Sequence, residues 1–360
     1  MVTPLSFSTF VESTGSKHLE LLDNKRISDL TGLDEDRIWK STKTRSRYIL
    51  KPQSKPVDLA LEITEKFLRE SHIHRNAIAA LALVHTHYEG NARQEMAEAV
   101  ADLIGIHRSR INAIAFGCTG FPEIVHQAEA MAQQLSSDAH VLILNVETPD
   151  RMMDARDSRA TPIFAAAATA TSLSKGEGHR LFFAETQEVV PPENPQNVEI
   201  FRIQPEEAEN FSGERTLRTI FRMDGDLAYR NGGALIEEAT RTSLHRVMQD
   251  PVMHGRRVLV VPHQENAKMI KAFDDMVGPE MTEGEFAGYG ISEVRFVNGM
   301  EGMGNTISAT IPSTLARLSQ LQGIDPKTGD VVLFPAAGIC LAHPGDKMSQ
   351  GIGAMVWNQR

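Results

Sequence analysis

Cysteine is almost missing from this chain, which has two in 360 residues, Cys118 and Cys340. Two thiols supply no disulfide framework, so the expected compartment is a reducing one, the cytoplasm. Long apolar runs are missing as well. No stretch approaches the roughly eighteen uninterrupted apolar residues of a membrane-crossing helix. The opening MVTPLSFSTFVESTGSKHLE lacks the basic-then-apolar order of a secretory signal. Aromatic residues make up only 6%, no long basic run occurs, and the net charge is −10. Nucleic-acid binding needs an electropositive face, often with stacking aromatics, so nucleic acid is not an expected partner. Arg256, Arg257, Lys268 and Lys271 do cluster along the sequence. They offer either a docking patch for an acidic partner or an ordinary solvated surface.

What is present is an ample core, 41% hydrophobic, in a pattern that alternates strands with helices and so argues for an α/β fold. Amphipathic helices are expected over 59–71, 92–104 and 122–134, with apolar strands at 78–84, 111–116 and 140–147. Residues 160–173, rich in Ala and Thr, read as a strand packed closely against other backbone. The interval 187–213 is acidic and proline-bearing and reads as a surface connection. Beyond it a long helix falls within 225–249, a strand at 257–262, helices at 265–277 and near 307–322, and a strand at 330–337. The expected division is therefore a first half over 1–186, a connecting segment over 187–213 and a second half over 214–360.

Three segments carry chemistry. Cys118, in AIAFGCTGFPEIV, lies between an apolar strand and a helix. Gly117 and Gly120 permit a tight turn, and Pro122 suits a first helical turn, where its missing N–H costs nothing. A thiol there meets unpaired N–H groups and the positive end of the helix dipole. Both favour the thiolate, which can attack a thioester and carry its acyl group. Taken alone, Cys118 is equally well a buried small hydrophobe, and for Cys340 the buried reading is the better one. His263, in VVPHQENAKMI, follows an apolar strand and so points into the crevice where α/β proteins bind ligands. Asn305, in GMGNTISATIP, occupies a glycine-rich turn before a helix. Singly, the one is a core histidine and the other a helix cap. His85 and His87 have no convincing metal-ligand partners, and no metal site is assigned.

Together the three segments resemble 3-oxoacyl-ACP synthase III and its relatives in the thiolase superfamily. The family patterns A-C-A-G-F, P-H-Q-x-N and G-N-T-S-x-A-S-x-P stand here as GCTGF, PHQEN and GNTISATIP, in the same order and at similar spacing. LIGIHRSRINAIAFGCTGF can be laid on the family pattern without a gap, and TGLDEDRIWKSTKTRSRYI is similar to its N-terminal region. The resemblance implies a layered αβαβα fold of two similar halves in a homodimer. It also implies that Cys118 accepts an acyl group from acyl-CoA or an acyl carrier protein. The N–H groups of Cys118 and of Gly338, in the turn after VVLFPAA, would hold the oxyanion. His263 and Asn305 would hold the enolate formed when a malonyl-type thioester loses carbon dioxide, with no redox cofactor or metal. Relatives that only transfer an acyl group to oxygen or nitrogen often replace this asparagine by a carboxylate, so the retained amide favours condensation over acyl transfer. A non-catalytic partner subunit of the same fold would usually have lost the cysteine.

Departures from the family are also legible. The F-G-D-G-A-G-A segment appears as FAAAATA at 164–170, and Arg93 takes the place of an acyl-pocket aromatic. The C-terminal turn is extended as AAGICLAHPGDKMSQGIGAMVW, with His343 and Asp346 inside it. Glu147, at the end of HVLILNVE, is either a structural carboxylate or an acid beside the site. Contacts to substrate or carrier are expected from Arg93, Glu147, Arg256, Arg257, Asn266 and Lys268. These departures imply a specialised pathway, fatty-acid-like or polyketide-like, in which the second substrate is a malonyl-type or β-ketoacyl thioester.

Overall fold

The computed structural model describes residues 3–86, 90–192, 199–321, 323–339 and 347–358. Cys340, His343, Asp346 and His87 lie outside the described residues. Short strands β1 (Ser6–Phe7) and β2 (Val11–Glu12) precede a hairpin-like pair, β3 (Leu19–Asp23) and β4 (Ser46–Leu50), which enclose α1 (Asn24–Thr31) and α2 (Glu35–Thr42). Then come α3 (Pro56–Ser71), β5 (Ile78–Val84), α4 (Ala92–Ile104), β6 (Ile111–Ile114), α5 (Gly120–Gln133), β7 (His140–Glu147), β8 (Ala167–Ser174) and β9 (His179–Val189). A hairpin, β10 (Phe201–Glu209) and β11 (Arg215–Met223), leads to α6 (Gly225–Met248), β12 (Val258–Val260), α7 (Ala267–Ala272) and α8 (Gly278–Glu283). The chain ends with β13 (Val294–Phe296), α9 (Thr310–Ala316), β14 (Val331–Leu333), β15 (Ala336–Ile339) and β16 (Met348–Val356).

One strand arrangement occurs twice. β5 lies between parallel partners β6 and β7, with β8 antiparallel beyond β7. β12 lies between parallel partners β13 and β14, with β16 antiparallel beyond β14. β9 pairs with β16 and joins the two arrangements into one strand path.

Alternation along the strands builds the layers. In β5, Ala80, Ala82 and Val84 face a central core, while Leu81 and Leu83 face an outer one. In β12 and at its end, Leu259 and Val261 face the same central core, while Val258 and Val260 face a third. Strands buried on both faces need helices on both faces. α3 and α4 cover one outer face through Ile63, Phe67, Met96 and Val100. α6 and α7 cover the other through Leu244, Val247 and Ile270. Between the two strand arrangements lie α5 (Phe121, Ile124, Val125, Ala128) and α9 (Ile311, Leu315). Burying each large apolar side chain there contributes about 1.5–3 kcal/mol. The five layers are the αβαβα order expected.

Some elements differ from the sequence reading. The expected boundary after residue 186 falls inside β9. The interval 187–213 is no loose connection, because it contains the end of β9 and all of β10, paired with β11 along its whole length. Arg202, Glu206, Glu207 and Glu209 lie on a hairpin strand whose Phe201 and Ala208 are buried, and such mixed composition hides a period-2 signal. The helix expected over 265–277 continues through a π-helical turn at Phe273–Val277, and that near 307–322 is confined to Thr310–Ala316 between short 3₁₀ turns. Among the described residues no helix is long and apolar enough to cross a membrane.

Candidate active site

Cys118 sits in a 3₁₀ turn, Gly117–Thr119, that runs directly into α5. Gly117 has φ +75°, a conformation glycine adopts without strain. Gly120 is hemmed in, since a Cβ there would lie 2.8 Å from Ser308 Cβ and 2.9 Å from Val84 Cγ1. The turn is held on its other side by Thr119, whose hydroxyl meets that of Ser349 in β16 at 2.7 Å.

Gly338 is not in a turn, as the sequence suggested. It lies in β15, opposite Ser349 of β16. A Cβ on Gly338 would stand 2.3 Å from Cys118 Cβ and 2.8 Å from its Sγ. The backbone of β15 therefore passes against the thiol because residue 338 has no side chain.

His263 continues the line of β12. Its N–H donates to Pro335 O at 2.8 Å, extending the parallel pairing with β14, and the ring is fully buried. Gln264 locks this turn: its amide NH₂ donates to Pro262 O (2.8 Å) and Val297 O (3.1 Å), and its Oε1 accepts from Gly299 N (2.9 Å). Neither ring nitrogen of His263 has a well-formed hydrogen bond among the described residues. Burial pushes the imidazole down to about 3, against a small opposing effect of the Ile307 backbone. The ring is neutral at neutral pH, with one N–H to donate.

Asn305 is fixed by backbone. Its N–H donates to Ile163 O at 2.9 Å, and its carbonyl accepts from Ala165 N at 2.8 Å. FAAAATA thus supplies the edge on which Asn305 is held; of the strand expected over 160–173, only Ala167 onward is strand, and the residues before it are turn and loop with a single bridge at Phe164. The Asn305 Oδ1 accepts from Ile307 N at 2.9 Å, which leaves the amide NH₂ as the group free to meet a ligand. Ile307 itself has φ +52°. A β-branched residue in that region costs about 1–3 kcal/mol, and here it lines the cavity one residue beyond the turn that carries Asn305.

Cys118, His263, Asn305, Gly338, Glu147, Asn266 and Lys268 line one cavity of about 610 Å³. Its wall beside Cys118 is apolar: Met152, Phe164, Phe201, Phe221 and Ile307 form one cluster against which the cysteine packs. Phe164 and Phe221 meet edge-on, with ring centroids 5.2 Å apart. Phe201 and Phe221 come from the β10–β11 hairpin, a contribution that the sequence reading missed because the interval looked like a connection.

Glu147, at the end of β7, accepts from Thr86 N (3.1 Å), from Thr86 Oγ1 (2.8 Å) and from the Ser308 hydroxyl. Burial pushes its carboxyl up to about 7 in spite of these donors. Its hydrogen bonds tie β7 to the turn that carries Asn305, so it braces the site as well as lining it. Asn266 caps α7 by accepting from Lys268 N (2.8 Å) and donates to Ser41 O (3.1 Å), so its amide is occupied by the protein.

The remaining expected contacts stand apart from the cavity. Arg93 is in the first turn of α4. Arg256 and Arg257 precede β12, at the opposite end of that strand from His263. There Arg256 donates to Val252 O and Gly329 O, and Arg257 pairs with Asp330. Their position sets aside a contact with substrate inside the cavity. Lys271 pairs with Asp275.

The buried imidazole carries a stability signature. An unfolded histidine takes up a proton near pH 6.5, whereas His263 resists one until about pH 3. The unfolded state therefore binds more protons between those values, and this residue's share of stability is lost as pH falls through that window. The slope approaches about 1.4 kcal/mol per pH unit. Glu147, pushed up, acts with the opposite sign, its penalty growing as pH rises from the unfolded carboxyl value towards 7. Urea unfolding of His263→Asn at several pH values should show a shallower loss between pH 6 and 4 than the parent. Equal slopes would mean that the ring is protonated in the folded state.

The chain is similar to known proteins in sequence and in fold. Residues 113–188 match the sequence profile of the 3-oxoacyl-[acyl-carrier-protein] synthase III family. A β-ketoacyl-[acyl-carrier-protein] synthase III of Pseudomonas aeruginosa (strain LESB58) is 25% identical over 312 residues, covering 84% of either chain. The crystal structure of 3-oxoacyl-(acyl carrier protein) synthase III from Pseudomonas aeruginosa PAO1 superposes with a TM-score of 0.72 at 18% identity, over 99% of both chains. That of a priming β-ketosynthase from a polyketide biosynthetic pathway gives 0.67 at 18% identity, over 99% of this chain and 96% of the other. At such identities the structures establish a shared fold.

Proposed function

We propose that this chain is a condensing enzyme of the 3-oxoacyl-ACP synthase III-like kind, as its similarities support, and that it joins an acyl group carried on Cys118 to a malonyl-type thioester. The Cys118 thiolate attacks the carbonyl of an acyl-CoA or acyl-ACP, and the carrier thiolate leaves. The backbone N–H groups of Cys118 and Gly338 stabilise the oxyanion, and the Met152–Phe164–Phe201–Phe221 wall takes the acyl chain. The second thioester then loses carbon dioxide, and the electron pair of the broken bond becomes an enolate. His263 N–H and the Asn305 amide donate to its oxygen. The enolate carbon attacks the acyl carbonyl, and Cys118 leaves as the thiolate.

The observation that supports condensation is the state of the two donors. His263 is neutral and held far from protonation, and Asn305 has its oxygen engaged and its NH₂ open. Such a pair donates hydrogen bonds and is a poor base. Decarboxylation needs donors and no base, whereas transfer to an alcohol or amine needs a base to take its proton. A homodimer belongs to this reading. β6 is one of the two edge strands of the main sheet among the described residues, and its residues are all half-buried rather than shielded, so its free edge suits a second copy. Sedimentation should return about twice 39.7 kDa.

The test of the reaction is turnover of paired acyl and malonyl thioesters with products identified by mass. A β-ketoacyl product two carbons longer than the loaded acyl group, with release of one carbon dioxide per malonyl thioester, is the expected result. Ester or amide formation without carbon dioxide would replace condensation by acyl transfer. Products that go on to a triketide or a ring would place the chain in a specialised pathway.

A further inference from the structure

The turn PHQEN, residues 262–266, contains four side chains with polar atoms, and they divide cleanly. Gln264 spends its whole amide on Pro262 O, Val297 O and Gly299 N. Asn266 spends its own on Lys268 N and Ser41 O. Among the described residues neither the His263 ring nor the Glu265 carboxyl makes a well-formed hydrogen bond, and both line the cavity. Among the described residues the Glu265 carboxyl takes part in no side-chain hydrogen bond or ion pair; the only bond made by the residue is from its backbone N–H to His263 O at 3.1 Å.

A carboxyl that merely braced the fold would be satisfied, as Glu147 is by Thr86 and Ser308. Glu265 instead lies flat against Gly232 of α6, where a Cβ would come within 2.3 Å of one carboxyl oxygen and 2.5 Å of the other. The residue keeps part of its surface open to the cavity, while burial pushes the carboxyl up to about 8. At neutral pH it is therefore mostly an uncharged acid, with one O–H to donate and no acceptor for it among the described residues.

We propose that Glu265 is a specificity residue for the second substrate, donating a hydrogen bond to an oxygen on that substrate's β-carbon. The inference rests on the condensation reading above. In that reading His263 holds the thioester oxygen of the second substrate, and Glu265 is the other open group of the same turn. A β-carbon oxygen, the carboxylate of a malonyl thioester or the keto oxygen of a 3-oxoacyl thioester, lies a few bonds from that thioester carbonyl. An uncharged acid can meet either without setting two negative charges side by side. A site built to hydrogen-bond a substrate oxygen discriminates strongly against substrates lacking it, because its own buried polar group is then left unpaired.

The test separates two half-reactions. Acylation of Cys118 by a plain acyl-CoA is followed by intact mass, and the second substrate by the KM of a malonyl thioester and the inhibition constant of a 3-oxoacyl thioester. Glu265→Ala should weaken at least one of the two β-oxygenated thioesters tenfold or more, and which one identifies the oxygen. Acylation should change far less. Glu265→Gln, which restores an N–H donor, should stay within about threefold of the parent. Gly232→Ala should mimic Glu265→Ala, since the new methyl displaces only the free end of a flexible side chain and the fold can accept it. The proposal is overturned if Glu265→Ala leaves both constants unchanged, if it slows acylation as much as it weakens the second substrate, or if Glu265→Gln is as damaging as Glu265→Ala. Absence of any adduct on the parent Cys118 would instead sink the condensation reading itself.

Discussion

Incubation with an acyl-CoA will add the mass of the acyl group to the peptide that contains Cys118, and Cys118→Ala will take up none. Condensation by that variant should fall on the order of 10³-fold or more, because no other thiol lines the cavity among the described residues. The fold has little reason to suffer. Cys118 is only partly buried, and the substitution only removes an atom, so it creates no clash with β15. Gly338→Ala makes the complementary case. It keeps the thiol, but its methyl would fall 2.3 Å from Cys118 Cβ, so either the nucleophile or β15 must move. Its acylation rate should drop steeply although every reacting side chain is present. An acyl adduct elsewhere in the chain, with full activity in Cys118→Ala, would remove the nucleophile from the mechanism.

Asn305→Asp should separate condensation from acyl transfer. The aspartate can still accept from Ile307 N–H, as Asn305 Oδ1 does at 2.9 Å, and the backbone bonds to Ile163 and Ala165 do not depend on the side chain. The turn is therefore expected to persist. What disappears is the NH₂ donor to the enolate, and one such donor is worth about 10²–10³ in rate. A carboxylate in its place also favours the imidazolium of His263, lifting it from about 3 and making the ring a better base. Condensation should fall by that factor, while acylation of Cys118 persists and hydrolysis of the acyl group rises. Condensation within a few-fold of the parent would show that the amide donor is not used.

Much of this protein is legible along the chain. The strands at 78–84 and 140–147 and the helices at 59–71 and 92–104 are short-range signals. The helices bury a face that recurs at period 3.6, and the strands are short, almost unbroken apolar runs buried on both faces, so local order is enough to read them. Cys118, His263 and Asn305 are recognisable for a similar reason, since each sits in a turn whose neighbours must be glycine, proline or a cap. Other features depend on partners far away in sequence. β10 reads as an acidic connection until β11 pairs with it and turns Phe201 and Phe221 inward to wall the cavity. Asn305 is held by a bridge to Phe164, and the positive φ of Ile307 has no signature in a β-branched residue. Arg256 and Arg257 look like neighbours of His263 in sequence, yet three residues of strand carry them to the other end of β12. Glu265 shows the division most clearly. Its identity and its place in PHQEN are plain in the sequence, but its isolation is not. That depends on Gln264 and Asn266 finding other partners and on α6 presenting a glycine against the carboxyl, and such pairings exist only once the layers have closed.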